Sequence, residues 1–213
     1  MEIIRHASLK AVPWAGGTTR QIAVGPDGAG GWDWRLSLAD VVKAGPFSPM
    51  PGIDRIITVV EGELIALTVD GVEQALEKYR PFRFSGDSET SATLPTGILK
   101  DLNLMTRRGV CKGYAMIVEL SKKRPHPVFA GQFAVLLQGS ASVSPASPDT
   151  DDAAASSVPP TETLGKFDTV VGAEEAPEIS GRGFLAVLSI DPARESSDPD
   201  PGLQENLGQN DPT

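Results

Sequence analysis

Residues 32–39, WDWRLSLA, alternate strictly along the chain, and a period of two is satisfied only by a strand lying between two different environments. Trp32, Trp34, Leu36 and Leu38 take one face, and Asp33, Arg35, Ser37 and Ala39 take the other. IITVV (56–60), the turn-forming EGE and LIALTV (64–69) read as a β-hairpin, with Asp70-Gly71 supplying a second tight turn. Further strands are expected at 3–9, 20–24, 81–84, 113–120, 133–138, 167–171 and 184–190. Helical signal is confined to LADVVKAG (38–45), which reads as one short turn ended by Gly45-Pro46. Many short strands joined by Gly- and Pro-rich turns specify an all-β sandwich or barrel.

An internal parallel points to two similar lobes. DRIITVVEGELIALTVDG in the first half has a counterpart in GQFAVLLQGSASVS in the second, and each half then reaches another apolar strand, GYAMIVEL or GFLAVLSI. SPASPDTDDAAASSVPPTET (144–163) has almost nothing to bury and reads as a long mobile loop between apolar strands. The stretch 193–213 has the same composition and reads as a disordered acidic tail.

Charge narrows the partners. The net charge is −9, but residues 1–120 carry 14 acids and 13 bases, whereas residues 121–213 carry 14 acids and 6 bases. A nearly neutral body with acidic appendages argues against nucleic acid and against anionic membranes. No run of about 18 apolar residues is present. MEIIRHASLKAVPW lacks the apolar stretch and cleavage site of a signal peptide, and the single Cys111 forms no intrachain disulfide, so a cytoplasmic location is expected.

Catalytic motifs are missing. The two histidines, His6 and His126, are far apart, and with no HxH or CxxC no metal site and no cofactor is expected. His126, between prolines in RPHPV, reads as part of an exposed connector. Cys111 reads as a buried inert thiol. GPDGAGG (25–31) lacks the lysine of a phosphate loop and reads as a hairpin loop.

What remains is a set of polar and aromatic residues on segments otherwise suited to a core. PWAGGTTRQIA (13–23) sets Trp14 before a Gly-Gly turn, and GPFSPMPGIDR (45–55) holds Phe47, Ser48 and Arg55 in a rigid loop entering a strand. In DLNLMTRRG (101–109) an extended chain puts Asp101, Asn103, Met105 and Arg107 on one face, with Leu102, Leu104, Thr106 and Arg108 on the other. Buried guanidinium groups are costly unless paired, and their planar forks suit carboxylates. The candidate ligand-binding residues are therefore Trp14, Thr18, Arg35, Ser37, Phe47, Ser48, Arg55, Asn103, Met105 and Arg107, and no catalytic residue is nominated. Whether Arg107 faces a ligand or pairs with Asp101 is left open, and Arg108 is expected on the surface or between strands.

The segments PWAGGTTRQIA, WDWRLSLADV, GPFSPMPGIDR, VVEGELIALTVDG, PFRFSGD and DLNLMTRRG together resemble the HutD/Ves family, associated with bacterial histidine utilisation. The resemblance covers residues 1–120 well and the second half in outline. It implies cupin-type β-barrels with few short helices, two lobes in one chain (a bicupin) over residues 1–192, lobe one ending near 120 and lobe two spanning 121–192. Lacking a histidine cluster, such a bicupin is expected to be a metal-free, non-catalytic binder of a small anion that modulates histidine utilisation. N-formylglutamate or urocanate would suit its arginines. A metal-independent isomerase or hydrolase with Asp101 as general base, and a protein-interaction scaffold, are the alternatives. The protein partners considered are a second copy of the chain, as a homodimer, and, for the scaffold alternative, a pathway enzyme or transcription factor. Gln21 stands where the family usually has an acid, and Leu102 where it usually has Phe.

Overall fold

The computed structural model describes residues 1–28, 31–146 and 160–193. Most of the 144–163 loop and nearly all of the 193–213 tail expected from composition lie outside those residues. Among the described residues the regular structure is strand throughout, apart from a single 3-10 turn at His6–Ser8.

Three sheets carry the fold. A six-stranded antiparallel sheet runs Phe82–Ser85, Ile53–Glu61, Leu99–Arg107, Trp34–Val41, Gly17–Val24 and Ala11–Trp14. A four-stranded sheet, Val72–Glu77, Leu64–Val69, Thr90–Thr93 and Gly45–Pro46, packs over one end of it to complete the first lobe. The second lobe is one seven-stranded sheet with the path Glu2–Ile4, Thr169–Val171, Gln132–Ser144, Glu178–Pro192 and Cys111–Leu120. The N-terminal strand and the 111–120 strand thus belong to the second sheet, so sheet membership does not change at residue 120.

Side-chain alternation decides what each sheet faces. Leu36, Leu38, Ile56, Leu102 and Leu104 meet Phe133, Val135, Leu137, Ala186 and Leu188 between the lobes. Ile57, Val59 and Leu99, on the opposite face of the six-stranded sheet, meet Ile65 and Leu67 inside the first lobe. Leu36, Leu102 and Leu104 are fully buried, and each such side chain removed from water contributes about 1.5–3 kcal/mol.

Several local expectations are corrected. Strands 53–61 and 64–69 do not pair with each other; the chain turns a corner at Gly62, and the two strands face one another across the lobe interior. The true hairpin follows, Val69 pairing with Val72 around Asp70-Gly71, whose φ angles of 48° and 80° are those of a hairpin turn. GQFAVLLQGSASVS makes no turn either. It is one long strand that bends where Gly139 pairs with Gly183, at φ of 100° and 128°, in a crossing too close for any Cβ. Residues 38–41 are not helical but complete the Trp34–Val41 strand, whose backbone is paired on both sides. The expected 3–9 strand stops at Ile4. Trp32 departs from the 32–39 alternation because the strand begins at Trp34, leaving its ring over the Arg35 guanidinium at 5.4 Å.

Candidate functional site

The inward face of the first lobe changes character along its strands. At one end it is the apolar plug of Ile57, Val59, Ile65 and Leu67. Towards the other it encloses a cavity of about 280 Å³ floored by Arg35, Ser37 and Ala39, by Arg55, and by Asp101, Asn103 and Met105. Trp14 and Phe47, edge to face at 6.3 Å, wall it, and the exposed Val12, Pro13 and Ser48 form its rim. The loop bearing Phe47 and Met50 is tied down by hydrogen bonds from Phe47 N to Thr90 O and from Met50 N to Gly86 O, each 2.8 Å.

Register orders the floor into rows. Met105 lies directly between Arg35 and Arg55, Asn103 between Ser37 and Ile57, and Asp101 between Ala39 and Val59. Cationic, amide and acidic groups therefore follow one another in pleat-sized steps along the strand direction, the arginines on the two flanking strands and the amide and acid on the central one.

These groups are buried and incompletely paired. Asp101, Asn103 and Arg55 are 2%, 5% and 6% exposed. Arg35 Nε, Arg55 Nε, Trp14 Nε1, Asp101 Oδ1 and Asn103 Oδ1 have no hydrogen-bond partner, in a fold where buried polar atoms are almost always satisfied. Among the described residues neither Arg35 nor Arg55 forms an ion pair within 4 Å. Arg55 lies between the rings of Phe47 and Phe84, at 5.1 and 5.0 Å, which fixes its plane without using its N–H groups. Arg35 reaches the Met105 sulfur at 3.6 Å.

Burial sets the electrostatics. It pushes the Asp101 carboxyl up to about 7, against the opposing pull of the Arg55 charge and an Asn103 hydrogen bond. It brings Arg55 down to about 10, Asp101 working against that shift and Arg35 with it, so both arginines stay cationic at neutral pH while Asp101 sits near its titration point.

Of the ten nominated residues, Trp14, Arg35, Ser37, Phe47, Ser48, Arg55, Asn103 and Met105 line this one cavity. Thr18 and Arg107 do not, and are corrected. Thr18 turns away to donate to Asp40 at 2.9 Å, and its neighbour Thr19, paired with Ala39, lines the cavity instead. Arg107 ends its strand one row beyond Met105, donating to the Trp32 carbonyl at 2.8 Å with Asp33 3.5 Å away. Its counter-charge is therefore Asp33 rather than Asp101. Arg108, just past the end of that strand, projects outward to Asp54 and Asp87. Asp101, Val12, Pro13, Thr19, Ala39 and Met50 complete the lining. Asp101 and Ala39 share strand faces with nominated residues, whereas Val12, Pro13 and Met50 carry no local signal.

The remaining chemistry lies elsewhere. His6 packs edge-on against Phe167 at 5.5 Å, and His126, half-buried rather than exposed, pairs with Ile179. Cys111 is buried, donates to the Asp33 carbonyl at 3.2 Å, and has its thiol pushed up by burial. No group of three or more His, Cys, Asp or Glu among the described residues could hold a metal ion, and no described helix is long and apolar enough to cross a membrane.

Comparison with known proteins places this geometry. The HutD family model matches residues 6–187. Protein Ves of Citrobacter koseri is 39% identical over 105 residues, 48% of this chain and 55% of that protein. An uncharacterized 21.2 kDa protein in the hutC 3' region of Pseudomonas putida is 38% identical over 109 residues, 49% of this chain and 57% of that protein. The chain thus spans little more than half the length of the curated relatives it matches. Among solved structures, a conserved protein of unknown function from Pseudomonas aeruginosa PAO1 superposes with a TM-score of 0.72 at 28% identity, covering 89% of this chain and 98% of that one. HutD from Pseudomonas fluorescens SBW25, in a formate condition, gives 0.70 at 26% over 90% and 98%. A cupin 2 conserved barrel domain protein from Leptotrichia buccalis, at 0.54 and 12% over 90% and 96%, shares the fold alone.

Proposed function

The chain belongs to the HutD family, a cupin-fold family associated with the histidine-utilisation locus, and we propose that it binds a small carboxylate in the first-lobe cavity and thereby modulates histidine utilisation. The observation that carries this reading is that Arg35, Arg55 and Trp14, each holding a buried N–H with no hydrogen-bond partner, line one cavity. A buried guanidinium group and a half-buried one, with no internal counter-ion within 4 Å, are costly, and an anion beside them removes that cost. A volume of about 280 Å³, at the small end for ligand pockets, suits a small organic acid better than a nucleotide or other large cofactor.

Calorimetry with formate, propionate, N-formylglutamate and urocanate tests the reading. At least one of the last two is expected to release heat with the parent protein and not with Arg55→Met, and silence from all four sinks the ligand. Replacing the chromosomal gene with the Arg55→Met variant is expected to alter growth on histidine as a deletion does; wild-type growth would separate binding from modulation.

One observation favours a second reading. Asp101, held near neutrality inside the cavity, meets the requirement of a general acid or base acting on a small acid. Turnover of any of the four compounds by purified protein, abolished in Asp101→Asn, would establish it.

A further inference from the structure

The cavity has two chemically opposite ends. Arg35 and Arg55 flank Met105 in one row, and their unpartnered Nε atoms are donors. Asn103 is one row further along the strand and Asp101 two rows further, and their unpartnered Oδ1 atoms are acceptors. Four residues at about 3.3 Å per residue separate the backbones of the first and third rows by roughly 13 Å. The hydrogen bond between Asn103 and Asp101 works to lower the pKa of the carboxyl, so the Asn103 amide nitrogen donates it, and one oxygen on each side chain is left over.

A simple carboxylate satisfies only half of this. It brings acceptors alone, so it answers the arginines and leaves two buried oxygens, in residues 2% and 5% exposed, without a donor. Resting on the carboxylate reading above, we infer that the ligand is bifunctional, with a carboxylate set on Arg35 and Arg55 and an N–H donor at its other end read by Asn103 and Asp101. Selectivity then comes from the acceptor end. A site built to take an N–H rejects an analogue presenting oxygen there, because its own buried acceptors go unmet and face a like partner.

Two isosteric probes isolate that end: 3-(1H-pyrrol-2-yl)acrylate and 3-(furan-2-yl)acrylate share the carboxylate and differ only in ring N–H against ring O. At pH 8 the parent protein is expected to bind the pyrrole acid at least about tenfold more tightly. Asn103→Leu should cut that preference to about threefold or less. The parent comparison requires no variant to fold. Equal affinities, or a preference for the furan acid, overturn the inference and leave carboxylate binding standing. Failure of both acids and of propionate to bind removes both.

Discussion

The two lobes solve the same packing problem with opposite interiors. In the second, the inward side chains of the long bent strands are Ala134, Leu136, Leu185 and Val187, closed over by Val143, Leu164 and Ile179. In the first, the strands of the six-stranded sheet present buried Arg55, Asp101 and Asn103 and half-buried Arg35, and leave space between them. Filling an interior with aliphatic groups maximises burial; leaving polar atoms unpartnered beside a void forfeits stability. The first lobe thus carries a destabilising interior that the second lobe and the shared interface offset. Under the proposed function, that concession is what a binding site requires.

The contrast can be broken by mutation. Leu136→Ala, in the dry lobe, is expected to lower unfolding free energy in urea by about 2–5 kcal/mol, while Ser37→Ala, beside an existing cavity, costs about 1 kcal/mol or less. Similar costs would mean the first lobe is packed as tightly as the second. A slightly smaller effect comes from pH. Because the native Asp101 carboxyl titrates near 7, above the ordinary value of 3.8, the native protein keeps a proton that the unfolded chain loses between those values. Asp101 therefore withdraws stability as pH rises from about 4 to 7, by up to about 4 kcal/mol, and nothing further above that. Subtracting the stability profile of Asp101→Asn from that of the parent isolates the slope, and a flat difference would place a counter-charge on Asp101.

Arg55→Met tests the opposite sign. Replacing an internally unpaired cation stacked between Phe47 and Phe84 is expected to raise stability by about 1–3 kcal/mol while weakening carboxylate binding about tenfold or more. Destabilisation without loss of binding would make Arg55 structural. The smallest effect is on affinity: propionate should bind about three- to tenfold more weakly at pH 8.5 than at pH 5.5, as Asp101 ionises beside the arginines, and Asp101→Asn should remove that dependence.

Much of the site was legible because it lies on strands. Period-two parity alone groups Arg35 with Ser37, and Asp101 with Asn103 and Met105. It failed where a turn interrupts the period, as at Asp33, which shifts Trp32 onto Arg35. It failed also where two adjacent residues of one type compete: nothing local distinguishes Thr18 from Thr19, and the choice follows from the pairing of Thr19 with Ala39. Arg107 has the right parity but one row too many, so it meets Asp33 and the Trp32 carbonyl instead of the cavity.

The hairpin misreading has a similar cause. EGE between two apolar runs is equally compatible with a hairpin and with a corner, and only the competing partner strands choose between them. The amino-acid sequence by itself determined that the chain is all-β, which side chains share a strand face, and which of those faces carry groups unsuited to a core. Tertiary structure alone decided which faces close on each other, that the polar ones enclose a cavity in the first lobe, and that the second lobe closes on aliphatic groups. Alternation is a property of neighbouring residues, whereas strand partners and sheet stacking join residues tens of positions apart, through contacts that no local pattern records.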